Sequence, residues 1–433
     1  MTQAAHPAMG MAAVALLDGR CQIKSMSEAS VAVTPLSRWR HRELILILGT
    51  LTAFGSVSID MYLPAMSAIA RDLNVAPHVI ANTMASFFLG FAVGQAVFGP
   101  IADRFGRKPP LYAGIFLYIA ASAVCALTHS AGVLVGARFV QALAACAGGV
   151  TSRAAVRDLF SPAEMPRIFA AIMLVFGVAP LVAPFVGGYL LVWFGWRAIF
   201  WTQVAFAVLA LIAVFFRLEE SHGGGQRALH PLAIAWDYVL LLKDRRFIGY
   251  VLPAALSNGG MFAYLTGSSH VFIDIFHVPP QHFGWFFGFN ALGLIGAAQL
   301  PARIIGRVDG AKFLFGAQCI QMLAGLALVV TSLLGGGLWP TTALLFVFVA
   351  LNGAIMPTAS ALAMRHFARN AGMASALIGT LPFGLGVVAA AILGKLPATN
   401  PLPMTSVMAG CTVAAVLSSL LLSPARADAL QRA

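Results

Sequence analysis

Two ionisable residues, Asp60 and Arg138, lie within long apolar runs, where charge is costly and indicates a functional site by default. Asp60 occurs in Ser58-Ile-Asp60-Met-Tyr-Leu-Pro64, roughly 25 Å along a helix that begins near Glu43. A buried carboxyl group takes up a proton readily and releases it when a cation approaches, so Asp60 is a candidate proton carrier. Arg138 reaches a similar depth from another apolar run, which predicts that the two groups pair directly or through water.

Both residues also have a structural interpretation. Asp60 could be an interfacial carboxylate at a helix end, and Arg138 could be held by backbone carbonyls together with Gln141, one turn away. His270 and Asp274 are one turn apart, at a position predicted to be exposed. Other polar side chains in apolar runs could line a cavity or join helices. The candidates for cavity lining are Tyr62, Gln141, Asn258 and Asn290.

The sequence contains no pattern typical of an enzyme. Its five cysteines are scattered without metal-ligand spacing, and their odd number argues against a disulfide framework. Gly-x-Gly-x-x-Gly and Walker-type loops are missing, so ATP is not the expected energy source. We therefore predict no catalytic residues, no metal and no cofactor.

A polar, basic turn, Gly99-Pro-Ile-Ala-Asp-Arg-Phe-Gly-Arg-Lys108, separates two apolar runs. It holds one acid, three cations and two glycines in ten residues, which indicates a loop at a membrane surface. Its cations could instead anchor the loop to anionic lipid headgroups. The residues of interest are Gly99, Asp103, Arg104, Gly106, Arg107 and Lys108.

A second motif combines glycine and proline inside one apolar run. Proline removes a backbone donor and bends a helix, and glycine lets a neighbouring helix approach closely, so this helix could flex or slide against its partner. Ordinary membrane packing is the alternative, since both residues are common in membrane helices. The motif comprises Gly177, Pro180, Pro184, Gly187 and Gly188.

The elements that must position these residues are membrane helices. The chain has 433 residues, of which 60% are hydrophobic and only 10% charged. Runs of about 20 apolar residues can cross a bilayer as helices, whereas the short alternating segments of a membrane β-barrel are absent. We predict an all-α bundle with spans at 43–63, 78–101, 110–128, 131–156, 166–190, 197–216, 247–272, 281–304, 312–334, 339–364, 372–394 and 403–423.

The positive charge reports topology. With the N-terminus inside, 23 of the 27 Lys and Arg residues fall in the tails or at inside ends, so the net charge of +12 predicts two cytoplasmic termini and no nucleic-acid partner. Arg153 and Arg157 are counted among these surface cations. Residues 1–37 lack a secretory signal and are interpreted as part of a disordered tail, with Met1 or Met26 as the start.

The spans fall into two sets of six around one substantial linker. A weak repeat supports the division, because Ala102–Arg107 follows span 2 and Ala302–Arg307 follows span 8. Duplicated halves are common in transporters. The predicted domains are a tail at 1–42, six-helix bundles at 43–216 and 247–423, a cytoplasmic linker at 217–246 and a tail at 424–433.

Together these motifs closely resemble the major facilitator superfamily, and most of all its twelve-span drug:proton antiporters of the bicyclomycin-resistance (Bcr/CflA) type. The turn from Gly99 to Lys108 resembles the superfamily loop between spans 2 and 3. The segment around Asp60, Arg138-Phe-Val-Gln141 and the glycine–proline run of span 5 resemble the subfamily's motifs in spans 1, 4 and 5. Some related exporters carry a second acid where Thr52 stands here, which argues against a two-carboxylate scheme.

The resemblance implies two pseudo-symmetric six-helix bundles that rock around a midplane cavity. Asp60 would carry the proton and Arg138 would tune it. Asp103 would cap span 11, and Arg107 would bridge Asp103 to Asp158 in an inner gate. The implied function is proton-coupled efflux of small, largely apolar drugs across the inner membrane by a monomer in contact with lipid.

Two alternatives share some of these features. A specific exporter or importer of one amino acid or sugar would have the same loop and gate motifs, because these do not encode the substrate. A polytopic membrane enzyme or receptor is the remote alternative. It predicts His, Asp or Cys clustered at one membrane face, which the sequence does not show.

Overall fold

The computed structural model describes residues 38–161, 164–218, 220, 238, 240–304, 308–365, 367, 371–397 and 399–422. The predicted tail up to residue 37, with the choice between Met1 and Met26, lies outside the described residues, as do 423–433 and most of the linker. By its contacts the chain divides into two units, Met1–Leu44 and Ile45–Ala433. Within the first unit, Arg40 pairs with Glu43 at 3.1 Å.

Twelve long α-helices in the described part of the chain follow the twelve predicted apolar runs in order. Proline stands in the first turn of α2, α3, α5 and α8, where a backbone N–H is not needed. The helices are α1 (Arg38–Asp60), α2 (Pro77–Phe105), α3 (Lys108–Leu127), α4 (Ala131–Leu159), α5 (Met165–Phe194), α6 (Arg197–Arg217), α7 (Arg245–Ser269), α8 (Pro280–Ala297), α9 (Gly310–Leu333), α10 (Leu338–Met364), α11 (Ala371–Leu393) and α12 (Leu402–Leu422).

Shorter helical segments lengthen or join these helices. After α1 the chain continues as a 3₁₀ turn, Leu63–Ala65, and a short α-helix, Met66–Asp72. A π-helical turn, His270–Ile275, continues α7, and Leu300–Ile304 follows α8. α1 therefore changes its backbone geometry immediately after Asp60, close to Pro64, which has no N–H to continue the ladder.

Ten helical segments among the described residues are long and apolar enough to cross a membrane. The predicted spans 247–272 and 281–304 form α7 and α8 but do not meet the same criteria of length and composition. α7 begins with two arginines and carries Ser257 and Asn258 at its centre, and α8 has only 18 residues. The predicted series of twelve apolar helices therefore includes two that are shorter or more polar than expected.

The helix contacts repeat between the first six and the last six helices. In the first half α4 packs on α2 and α3, and in the second half α10 packs on α8 and α9. The most extensive contacts between the halves are two equivalent pairs, α2 with α11 and α5 with α8. Each pair joins the second helix of one half to the fifth helix of the other.

The glycine pair of α5 lies where other elements approach most closely. A Cβ atom on Gly187 would overlap the backbone of Met61, just beyond the end of α1. A Cβ atom on Gly188 would stand 3.0 Å from the Cα atom of Gln281 in the first turn of α8. α5 remains helical through Pro180 and Pro184. The glycine pair lets this continuous helix pack against both the end of α1 and the other half.

We expect Gly187→Ala to destabilise the protein by about 1–3 kcal/mol, because the added methyl group forces the backbones of α5 and α1 apart. Gly177→Ala is the matched control in the same helix, since its Cβ atom would stand 3.5 Å from the Ile295 side chain, an ordinary contact. Thermal unfolding of the two variants in detergent measures the difference. Equal unfolding temperatures would show that the close approach at Gly187 does not limit packing.

Candidate functional site

A cavity of about 380 Å³ lies between the two halves. Its wall comes from α1, α2, α4 and α5 and from the equivalent helices α7, α8, α10 and α11. Most of it is apolar or aromatic, while its polar groups come from Asp60, Arg153 and a few neighbours. The lining residues are Thr52, Gly55, Ser56, Ile59, Asp60, Phe91, Gln95, Ala145, Cys146, Gly149, Arg153, Met173, Phe176, Pro180, Met261, Phe262, Tyr264, Leu265, Phe287, Asn290, Ala291, Leu294, Val349 and Phe383.

Asp60 is the only acid that the described residues contribute to the wall of this cavity. It is the last residue of α1, its exposed fraction is 5%, and its carboxylate accepts a hydrogen bond from Ser56 one turn earlier. Tyr62, Leu63 and Pro64 follow it and are buried, so the cavity ends there. The carboxyl group is therefore almost dry yet belongs to a wall that both halves share.

Arg138 does not pair with Asp60, so the predicted direct pair is wrong. Its guanidinium donates to the carbonyl of Ser58 at 3.1 Å and to Oε1 of Gln141 at 2.6 Å. Its Cζ atom also lies 4.4 Å from the ring centre of Tyr62 and 4.2 Å from that of Phe87. Similar depth in two helices does not bring the two groups together, because Arg138 points into the interior of the first half and not into the cavity.

Of the four residues predicted to line a cavity, only Asn290 lies in this wall; it donates to the Tyr264 hydroxyl at 2.9 Å. Gln141 is fully buried and donates to Ser122 and Gln203 at 2.7 and 2.8 Å.

Tyr62 and Asn258 join helices instead. The Tyr62 hydroxyl pairs with Thr83, and Asn258 accepts from Asn352 at 2.7 Å. Gln141, Tyr62 and Asn258 thus fit the interhelical interpretation, because each finds a polar partner on a neighbouring helix.

The basic turn joins α2 to α3, and the membrane face on which it lies is called the basic face. α2 ends at Phe105, and the next residue, Gly106, has a φ of 87°, which favours glycine. The Arg107 side chain donates to Asp158 at the end of α4, at 2.7 Å. Arg104 lies over the ring of Phe105, and Lys108 over that of Tyr112.

Two further parts of the predicted inner gate, the cap of span 11 and Gly99, form no close contact that the structure describes. The side chains of Asp103 and Ala371 and the surroundings of Gly372, at the start of α11, lie outside what the structure describes, so the predicted cap of span 11 is not described. A Cβ atom added to Gly99 would meet no other atom within 4 Å, so Gly99 is not a point of close approach.

Glu220, in the linker, is a contact that the sequence analysis missed. Its carboxylate accepts hydrogen bonds from the backbone N–H groups of Arg107 and Lys108 at 2.8 and 2.9 Å. An acid at this position is favourable, because the first N–H groups of a helix lack partners and carry partial positive charge. Composition alone marked the linker as a boundary and gave no sign of this contact.

Arg153 is the second missed residue. It was counted as a surface cation, yet it lies in the cavity wall, where its side chain donates to Gln95 at 3.2 Å. A helical stripe of Ala145, Cys146 and Gly149 leads to it along α4. The i, i+4, i+8 spacing of residues 145, 149 and 153 is the signal that could have placed it there.

Polar contacts also join the halves at the opposite face, on the far side from the basic turn. Asp274 accepts from Ser67 and from His270, and it pairs with Arg71 at 3.5 Å. Partial burial alone would raise the pKa of the Asp274 carboxyl, but the hydrogen bonds from His270 and Ser67 and the charge of Arg71 hold that pKa below its usual value. Asp274 is therefore a carboxylate at neutral pH and a hub between the halves.

Comparison with known proteins identifies the class of this site. Residues 46–391 match the Major Facilitator Superfamily. A bicyclomycin resistance protein homolog of Haemophilus influenzae is 37% identical over 86% of this chain and 94% of its own length. Multidrug resistance protein D of Escherichia coli is 28% identical over 84% of this chain and 92% of its own length.

Solved structures agree with this fold. A mutant of the nucleoside transporter NupG superposes with a TM-score of 0.72 at 12% identity, covering 89% of this chain and all of its own. The peptide transporter POT in complex with sulfate superposes with a TM-score of 0.69 at 16% identity, covering 88% of this chain and 93% of its own. With a central cavity lined by equivalent helices of two halves, the chain belongs to the Major Facilitator Superfamily and is a multi-pass membrane transporter, not an enzyme.

Proposed function

We propose that this protein exports small, largely apolar drugs or toxic compounds across the inner membrane in exchange for protons, by alternating access. The observation that carries the proposal is the position of Asp60, a nearly dry carboxyl group in the wall of an apolar cavity between the two halves. The relatives that this chain resembles are named for resistance to drugs, which supports the same class of substrate here.

Asp60 is suited to carry the proton. Among the described residues it has no cationic partner, and Ser56 stabilises its charged form with one hydrogen bond. Entry of water or substrate into the cavity changes how well the charge is solvated, so a movement of the halves can change its protonation. Arg138 acts on it indirectly, because it holds the Ser58 carbonyl two residues away.

Two clusters are suited to close the transporter at its two faces in turn. On the basic face Arg107, Asp158 and Glu220 order the turn between α2 and α3. On the opposite face Asp274 and Ser67 hold the halves together. Alternating access requires two arrangements of similar energy, and closures at opposite ends supply them.

The remaining parts of the proposal concern topology. The excess of Lys and Arg on the basic face favours a cytoplasmic location for that face and for both termini. We assign the six-helix bundles to 43–216 and 247–423, with the linker 217–246 between them, and a monomer as the transporting unit. The tails at 1–42 and 424–433 remain predictions.

Asp60→Asn should abolish substrate-induced proton release from everted vesicles, since an amide cannot exchange a proton, while insertion into the membrane is retained. Asp60→Glu should keep part of the coupling. Asp309→Asn is the matched control, because Asp309 is exposed and caps α9, and asparagine caps equally well. Proton release by the Asp60→Asn variant at the wild-type rate would show that another group carries the proton.

Asp274→Ala should loosen the closure at the opposite face. A membrane-impermeant thiol reagent added on that side should label a cysteine replacing Ile59, in a cysteine-free background, about two- to fivefold faster, because a partly exposed pair of this kind contributes roughly 0.5–1 kcal/mol. Lys395→Ala, an exposed residue just beyond α11, is the control. Labelling that Asp274→Ala and Lys395→Ala change equally would exclude Asp274 as part of the closure.

A further inference from the structure

Arg153 places a guanidinium group inside the transport cavity. It is an exposed residue of α4, and its side chain forms part of the cavity wall. Gln95 accepts a hydrogen bond from it, but no carboxylate among the described residues pairs with it. A cation in the wall of an otherwise apolar cavity, with no acidic partner there, indicates interaction with something that passes through.

Asp60 is too distant to neutralise this charge. Arg153 lies fifteen residues after Arg138 on α4, which is about 22 Å along the helix. Arg138 donates to Ser58, two residues from Asp60, so Asp60 lies near the level of Arg138. The acid and the base of the cavity therefore occupy opposite ends.

The wall beside Arg153 is aromatic. Phe91, one turn from Gln95 on α2, has its ring centre 4.4 Å from that of Phe383 on α11. Phe176 of α5 lines the same cavity. A molecule bound here therefore meets flat apolar surfaces next to one fixed fork of hydrogen-bond donors.

We propose that Arg153 and Gln95 form a recognition subsite for a carboxylate or another oxygen acceptor on an otherwise apolar, aromatic substrate. A guanidinium matches a carboxylate with two parallel hydrogen bonds, and its positive charge repels cationic compounds of the same shape. The subsite deepens the proposed function, on which its role in transport rests, by favouring anionic and neutral acceptor compounds over lipophilic cations.

Three naphthalene probes of similar shape test the charge preference: 2-naphthoate, neutral 2-naphthamide and cationic 2-naphthyltrimethylammonium. Equilibrium binding to the purified full-length protein in detergent requires no gradient. We expect naphthoate to bind about tenfold or more tightly than the cation, with the amide between them. Equal affinities for the three probes, or no binding of naphthoate at millimolar concentration, would overturn the proposal.

Variants then assign the preference to Arg153. Arg153→Met should lower naphthoate affinity about tenfold and raise that of the cation, whereas Arg153→Lys should keep the order of the three probes with a smaller difference. Arg157→Met is the matched control, because Arg157 is exposed one turn later on α4 and does not line the cavity. Equal effects of the two methionine variants would mean a diffuse surface potential and would overturn the subsite.

The outcome is separable from that of the proposed function. If naphthoate binding depends on Arg153 but substrate transport releases no protons, the proposed subsite is supported and proton-coupled efflux is rejected. If efflux is coupled to protons but binding does not depend on Arg153, the proposed function is supported and the proposed subsite is rejected.

Discussion

The hydrogen bond from Arg138 to the carbonyl of Ser58 is the interaction on which the first half of the transporter depends. Arg138 is fully buried and has no acid beside it among the described residues, so its charge is compensated by oxygen atoms and by two aromatic rings. It holds the last turn of α1 against α4. Through Gln141 the same network reaches Ser122 on α3 and Gln203 on α6. Four helices thus share one polar core. Because Arg138 makes its hydrogen bonds within this core, it does not pair with Asp60, which lines the cavity.

Apolar runs and charged turns were enough to predict the helices and the loop between α2 and α3, because burial in lipid demands them. The direction in which each polar side chain points was not predictable in the same way. Arg138 and Arg153 lie on one helix and differ by fifteen residues, and only the packing of α4 determines that one enters a closed core and the other an open cavity. Position along the apolar run located Asp60 but wrongly paired it with Arg138. The positive-inside count assigned Arg153 to the membrane surface.

Two very small residues give α5 its closest approaches, one within the first half and one to the other half. α5 touches the end of α1 at Gly187 and the start of α8 at Gly188. Any movement of α5 against α8 therefore acts on the segment that follows Asp60. This arrangement links the proposed site of proton binding to the seam between the halves without a chain of polar contacts. In the proposed mechanism, the glycine pair would therefore couple the movement of the halves to Asp60 in addition to its role in packing.

The contact of Glu220 with the start of α3 also changes where the first half of the chain ends. Glu220 follows α6 by three residues in sequence, yet it completes the N-terminus of a helix more than a hundred residues earlier. A split or fusion protein cut directly after Arg217 would lose that cap, whereas one cut just after Glu220 would carry it. For protein engineering, the usable junction between the two bundles lies on the C-terminal side of Glu220.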